Sequence, residues 1–256
     1  MSSNGPLVIK IGGSTLGAAD TTFRDVAALA KGGNPPIVVH GGGAEASRWL
    51  EAMNIPSRFE RGLRVTDGKA LPVVVAVYAG LVNKTIVSAI NAAGAMAVGI
   101  CGADGRTLEC RLADPELGFV GEPVAAHPEA VNALHSAGIV PVIGPIGFVP
   151  GVSSDQLVNV NADTVAGNLA ASVGASKLIF LTDVDGVRDA TGTVIPSLSG
   201  DRARALIEDG TIAGGMIPKV QACLHALSLG VEVQIVDGRN SGMLLATSGA
   251  GTTFAA

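Results

Sequence analysis

Short β-branched runs alternate with longer Ala/Leu-rich stretches along this chain, and glycine or a polar turn closes most of the short runs. Residues 7–11 (LVIKI) and 37–40 (IVVH) are apolar except for Lys10 and His40, the pattern of strands covered on both faces. Further strands are predicted at 96–100, 139–143, 177–181 and 231–236, the last closing the series. Helices are predicted over 20–30, 44–52, 72–92, 162–172, 202–208 and 216–229. Pro72 falls in a first turn, where its missing N–H costs nothing. Such alternation predicts an α/β fold, a mostly parallel central sheet with helices on both faces, that is, a three-layer αβα sandwich. Residues 102–123 break the rhythm with short, turn-rich segments and read as hairpins. Neither a repeat nor a linker is visible. Residues 1–256 are therefore read as one domain, with an N-terminal substrate lobe to about 158 and a C-terminal nucleotide lobe from about 159, sharing one sheet.

Composition narrows the function. Of 256 residues 48% are hydrophobic and 15% charged, enough for a large core and too apolar for disorder. A net charge of −5 disfavours general nucleic-acid binding, so an anionic ligand must be met by a local site. Cys101, Cys110 and Cys223 have neither zinc spacing nor a disulfide framework, and read as reduced thiols of a cytoplasmic protein. The start lacks a secretory pattern, and the apolar stretch 71–81 reads as too short and interrupted to span a bilayer, so no membrane role is expected.

Three features carry chemistry. Two apolar strands run directly into glycine clusters, Gly12-Gly13 and Gly41-Gly42-Gly43. Such turns either cradle phosphate with backbone N–H groups or are merely tight. Lys10 lies inside a buried-looking strand, where it needs an anion unless the strand is an edge reaching solvent. Asn159-Val160-Asn161-Ala162-Asp163 opens a helix, either as an N-cap or as polar groups pointed into a site. Neither the P-loop nor the dinucleotide fingerprint fits, since the lysine precedes the glycines. The histidines lack metal spacing, and His40 reads as structural.

Taken together, VIKIGGS, VVHGGG, GLRVTD, NVNADTVAGNLA, LIFLTDVDGV, GTIAGGMIPKVQACLHAL and VDGR resemble the amino-acid kinase family, in family order over residues 7–239. GLRVTD and NVNADTVAG narrow the likeness to its acetylglutamate branch. The resemblance implies ATP-dependent phosphorylation of the side-chain carboxylate of N-acetyl-L-glutamate, in arginine biosynthesis, with Mg2+ arriving on the nucleotide. It implies that Lys10 and Lys219 contact the transferring phosphoryl group and that Asp163 orients both. Gly12, Gly13 and Gly41 would give N–H groups to phosphate; Gly42, Gly43, Arg64 and Asn159 would bind the acyl amino acid, Arg64 as a two-pronged carboxylate clamp. Thr182, Asp183, Val184, Asp185, Gly186 and Val187, with Asp209, Gly210, Thr211, Gly214, Gly215 and Met216, would border the nucleotide.

Departures leave alternatives. Ala44 stands where many relatives have proline, and YAGLVNK at 78–84 resembles the kinases acting on aminoadipate, N-acetylated or carrier-linked, in lysine synthesis. A non-catalytic sensor with a kinase-like fold is the alternative from another class. The resemblance further implies that arginine-inhibited members carry an additional N-terminal helix. Only residues 1–6 precede the first strand here, so the expectation is an arginine-insensitive homodimer. Its interface is expected on the helix 72–92, through Val74, Val77, Tyr78, Leu81 and Val82.

Overall fold

The computed structural model describes residues 5–12, 21–151, 154–245 and 250–255. In chain order the elements begin β1 (Leu7–Ile11), α1 (Thr22–Lys31), β2 (Ile37–His40), α2 (Gly43–Ala52) and the short hairpin β3 (Phe59–Glu60) and β4 (Leu63–Arg64). A continuous helical stretch follows: α3 (Ala70–Val75), a π-helical segment (Ala76–Val82) and α4 (Asn83–Ala92). Next come β5 (Ala97–Cys101), β6 (Leu108–Leu112), β7 (Gly121–Ala126), α5 (Glu129–Ser136), β8 (Val140–Gly144), β9 (Ile146–Val149) and β10 (Gln156–Asn159). The rest is α6 (Ala162–Ser172), β11 (Lys177–Thr182), β12 (Ser197–Ser199), α7 (Gly200–Glu208), α8 (Met216–Ser228), β13 (Val233–Asp237) and β14 (Thr252–Ala255).

Eight strands form the central sheet in the order β12-β14-β13-β11-β1-β2-β8-β5. It is parallel from β13 to β5, and β14 enters antiparallel to β13. The α/β expectation therefore holds, but β13 is not the last strand. β1 is central, between β11 and β2, which removes the edge-strand account of Lys10. The period of two then decides what each residue meets. Val8 packs on the face covered by α6 and α8 with Leu178, Phe180 and Val39. Ile9 and Ile11 pack on the other with Val38, Val26 and the apolar side of α3 and α4. Lys10 shares the face of Val8 and so points toward α6.

Residues 102–123 contain one true hairpin, β6 with β7, but it belongs to a second sheet of order β10-β9-β6-β7. The sequence reading missed β9, β10 and α5. Two corrections concern the long helix. It runs unbroken through Ala70–Ala92, so by length and composition alone it could cross a membrane, whereas its inner face packs on the sheet. Val74, Val77, Tyr78 and Val82 belong to that buried face, and of the five residues expected at an interface only Leu81 is exposed.

Candidate active site

The carboxyl ends of β1, β2, β8 and β11 lie along one edge of the parallel sheet, where open α/β folds bind ligands. A cleft of ≈160 Å³ opens there. Lys10, Gly41, Gly42, Gly43, Arg64, Asn159 and Asp163, seven of the expected site residues, line it. Lys10 Nζ sits 2.7 Å from Asp163 Oδ1, a pair that is mostly buried. Asp163 is aimed by its helix. The N-cap of α6 is Asn161, whose Oδ1 accepts the N–H groups of Asp163 (2.8 Å) and Thr164 (3.1 Å). Asp163, in the first turn, is thus left free of capping and faces the strand below.

Arg64 is buried with its guanidinium 4.5 Å from the Phe59 ring centroid. Nη1 donates to Ser57 Oγ (2.5 Å), and Nη2 to the Gly43 carbonyl (2.7 Å) and Ser47 Oγ (2.8 Å). The fork expected to grip a carboxylate is thereby engaged in holding the loop. The Nε–H, buried among the described residues without an acceptor, remains for a ligand. An orphaned buried donor costs about 1–3 kcal/mol, so an anion in the cleft has a place prepared for it. Asn159 Nδ2 donates to Thr66 Oγ1 at 3.0 Å, which fixes its amide.

The glycine loop needs a second correction. Gly12 N donates to the Leu181 carbonyl and Gly41 N to that of Ile11, both at 3.1 Å, as the last rungs of the parallel ladder. Neither N–H is open to phosphate; Gly13 lies outside the described residues. Gly42 and Gly43 stand past the ladder, at the start of α2. Gly42 has φ 155°, and a Cβ there would lie 3.1 Å from the Tyr78 ring, so only glycine fits.

A second cleft of ≈420 Å³ lies beyond β11 and β13. Asp183, Val184, Asp185, Gly186, Val187, Thr211 and Met216 line it as expected, and Asp237 and Arg239 of the VDGR segment join them. Thr182, Asp209, Gly210, Gly214 and Gly215 support its turns without lining it. Thr182 Oγ1 accepts from Val184 N (3.2 Å), and Asp209 accepts from Thr211 N (2.9 Å). Lys219 Nζ sits 2.9 Å from Asp183 Oδ1, not on Asp163. Its hydrogen bond holds the Asp183 carboxyl below the usual carboxylate range, as Arg239 does for Asp237. The sequence reading missed Ser47, Ser57, Thr66 and Tyr78. Ser47 follows Gly43 by one helical turn, which was a usable signal; the others are brought near only by the fold.

The sequence matches the amino acid kinase family over residues 5–237. It is 46% identical to "Acetylglutamate kinase" of Paracoccus denitrificans over 241 residues, covering 93% of this chain and 79% of that one. Likeness to "Acetylglutamate kinase" of Dehalococcoides mccartyi is 41% over 247 residues, covering 95% and 91%. Among solved structures, the Streptococcus mutans protein smu.665 superposes with a TM-score of 0.85 at 24% identity, covering 100% of this chain and 99% of that one, a likeness of fold. Family match, relatives and site agree, and the chain belongs to the amino acid kinase family.

Proposed function

We propose that this chain transfers the γ-phosphoryl group of ATP to the side-chain carboxylate of N-acetyl-L-glutamate, the step of arginine biosynthesis that forms an acyl phosphate. The observation that carries the reading is one cleft that combines Lys10 on Asp163, the Gly42-Gly43 turn, and Arg64 with Asn159. The acceptor carboxylate is already ionised, so no strong base is needed, and catalysis reduces to alignment and charge stabilisation. Arg64 Nε–H and Asn159 hold the acyl amino acid. Lys10, kept in place by Asp163, meets the transferring oxygens from beneath. Gly42 and Gly43 offer N–H groups at the acceptor end, and Lys219, stationed at Asp183 beside the second cleft, meets the phosphates from the other side. The near halves of the chain then divide the work, residues to about 158 holding the acceptor and those from about 159 the nucleotide.

ATP is taken to bring Mg2+, which offsets charge on the phosphate oxygens. Among the described residues no group of three carboxylates, histidines or cysteines is gathered at one point. Two copies are proposed to associate through the outer face of the π-helical segment and α4, where Leu81, Thr85, Ser88 and Ala89 line an open groove; light scattering tests this. The activity is tested by ADP release with N-acetylglutamate, glutamate, N-acetylaminoadipate and carrier-linked aminoadipate in parallel. Turnover is expected with the first. Preference for an aminoadipate substrate, or none for any, removes the reading.

A further inference from the structure

Beneath the glycine loop lies a buried polar pair that no step above uses. His40 and Asn83 are both fully enclosed. His40 Nδ1 is 2.6 Å from the Gly41 carbonyl, and Nε2 is 3.1 Å from Asn83 Nδ2. Asn83 Nδ2 also meets the Val142 carbonyl at 2.9 Å, while its Oδ1 accepts from Lys84 Nζ at 2.9 Å. These partners settle every proton. A carbonyl only accepts, so Nδ1 must carry the hydrogen; the amide nitrogen only donates, so Nε2 must present its lone pair. Burial keeps the ring neutral by pushing its pKa down to about 4, as this arrangement requires.

We propose that His40 and Asn83 are a positioning pair that pins the Gly41 carbonyl inward and so aims the Gly42 N–H into the cleft. The inference rests on the kinase reading above. In a trans peptide the carbonyl oxygen and the following N–H point in opposite directions. With the Gly41 oxygen held on His40, the Gly42 N–H faces away from the core, toward the cleft that Gly41, Gly42 and Gly43 line. Among the described residues it has no protein acceptor. A donor fixed before reaction stabilises developing oxygen charge without reorganising. His40 touches no reacting atom and acts through one peptide group.

The test uses two substitutions of similar burial. Asparagine puts an amide nitrogen where Nδ1 sits and keeps the bond to Gly41; glutamine puts an amide oxygen near Nε2, where it can still accept from Asn83, and loses the bond to Gly41. His40→Gln is expected to lower kcat roughly 10- to 100-fold with KM values within about twofold, and His40→Asn to recover most of that loss. The nitrogen-15 imidazole spectrum of the native protein is expected to show the Nδ1–H tautomer. Equal activity per folded molecule in the two variants, or the Nε2–H tautomer, overturns the proposal. If the native protein fails to phosphorylate acetylglutamate, the Gly42 amide signal decides separately. A shift on adding MgAMP-PNP that His40→Gln abolishes upholds the pair and removes only the substrate; an unmoved signal removes both.

Discussion

A lysine whose side chain is 13% exposed in the central strand of a sheet is costly, and Lys10 is tolerated because Asp163 Oδ1 lies 2.7 Å from it. Lys10→Met and Lys219→Met are each expected to lower kcat by about 10² or more. They should differ in stability: the first strands Asp163, whereas the second releases the half-exposed Asp183. Thermal melts beside turnover numbers check both halves, and near-normal turnover in a folded variant removes that lysine from the mechanism. Arg64→Lys is expected to raise KM for the acidic substrate about tenfold with little change for ATP, since lysine replaces neither the Nε–H nor the three bonds to Ser57, Gly43 and Ser47. Equal effects on both substrates count against Arg64 as a substrate contact. His40 links the site to pH. Its pKa is lowered by burial from 6.5 to about 4, so below 6.5 the unfolded chain binds a proton that the folded chain refuses. Its contribution to stability is full above about pH 6.5 and fades as pH falls toward 4, by roughly 3 kcal/mol in all. Urea midpoints at pH 7 and pH 5 are expected to converge in His40→Asn relative to the native chain; an unchanged pH dependence contradicts this.

Among the elements, those with a strong period were legible and those defined by pairing were not. β1, β2 and β11 announce themselves because both faces are apolar, and their glycine or polar ends locate the ligand edge. Asp163 was found as a site residue, but the pattern 159–163 offered several cap candidates, and only the structure assigns the cap to Asn161 and leaves Asp163 to the site. β9 and β10 escaped because each is only four residues long, too few to show alternation. The π-helical turn cannot be read from periodicity at all, though it carries Tyr78 to Gly42 and precedes Asn83. β14 is another pairing-defined element, and it sews the second cleft together. Thr252 Oγ1 accepts from Val187 N (2.8 Å) and donates to the Ile195 carbonyl (2.7 Å), directly under Gly186. Thr252→Val keeps the shape and removes both bonds, leaving the buried Val187 N–H unmatched. A KM for ATP raised several-fold with KM for the acidic substrate unchanged is the expected result; a loss confined to thermal stability assigns Thr252 to the fold alone.

On the scale of the whole molecule, the two clefts lie on one sheet edge because strands from both halves of the chain run in the same direction through its centre. The pairing of Leu7–Ile11 with Lys177–Thr182 has a cost in time. About 170 residues separate these neighbours, so the middle of the sheet cannot close on a ribosome until β11 has emerged. At ~5–20 residues per second that is a wait of roughly ten to thirty seconds. Meanwhile β1 can pair only with β2, and its other edge stands open with its backbone N–H and C=O groups unpaired. Refolding from urea is therefore expected to be slow, governed by this distant pairing, and prone to concentration-dependent loss of yield. Stopped-flow measurement of the recovery of far-UV signal at several protein concentrations tests it, and rapid, concentration-independent recovery would contradict it. The arrangement that gathers the carboxyl ends of β1 and β11 side by side also makes the nascent chain a client for whatever shields unpaired strands during synthesis.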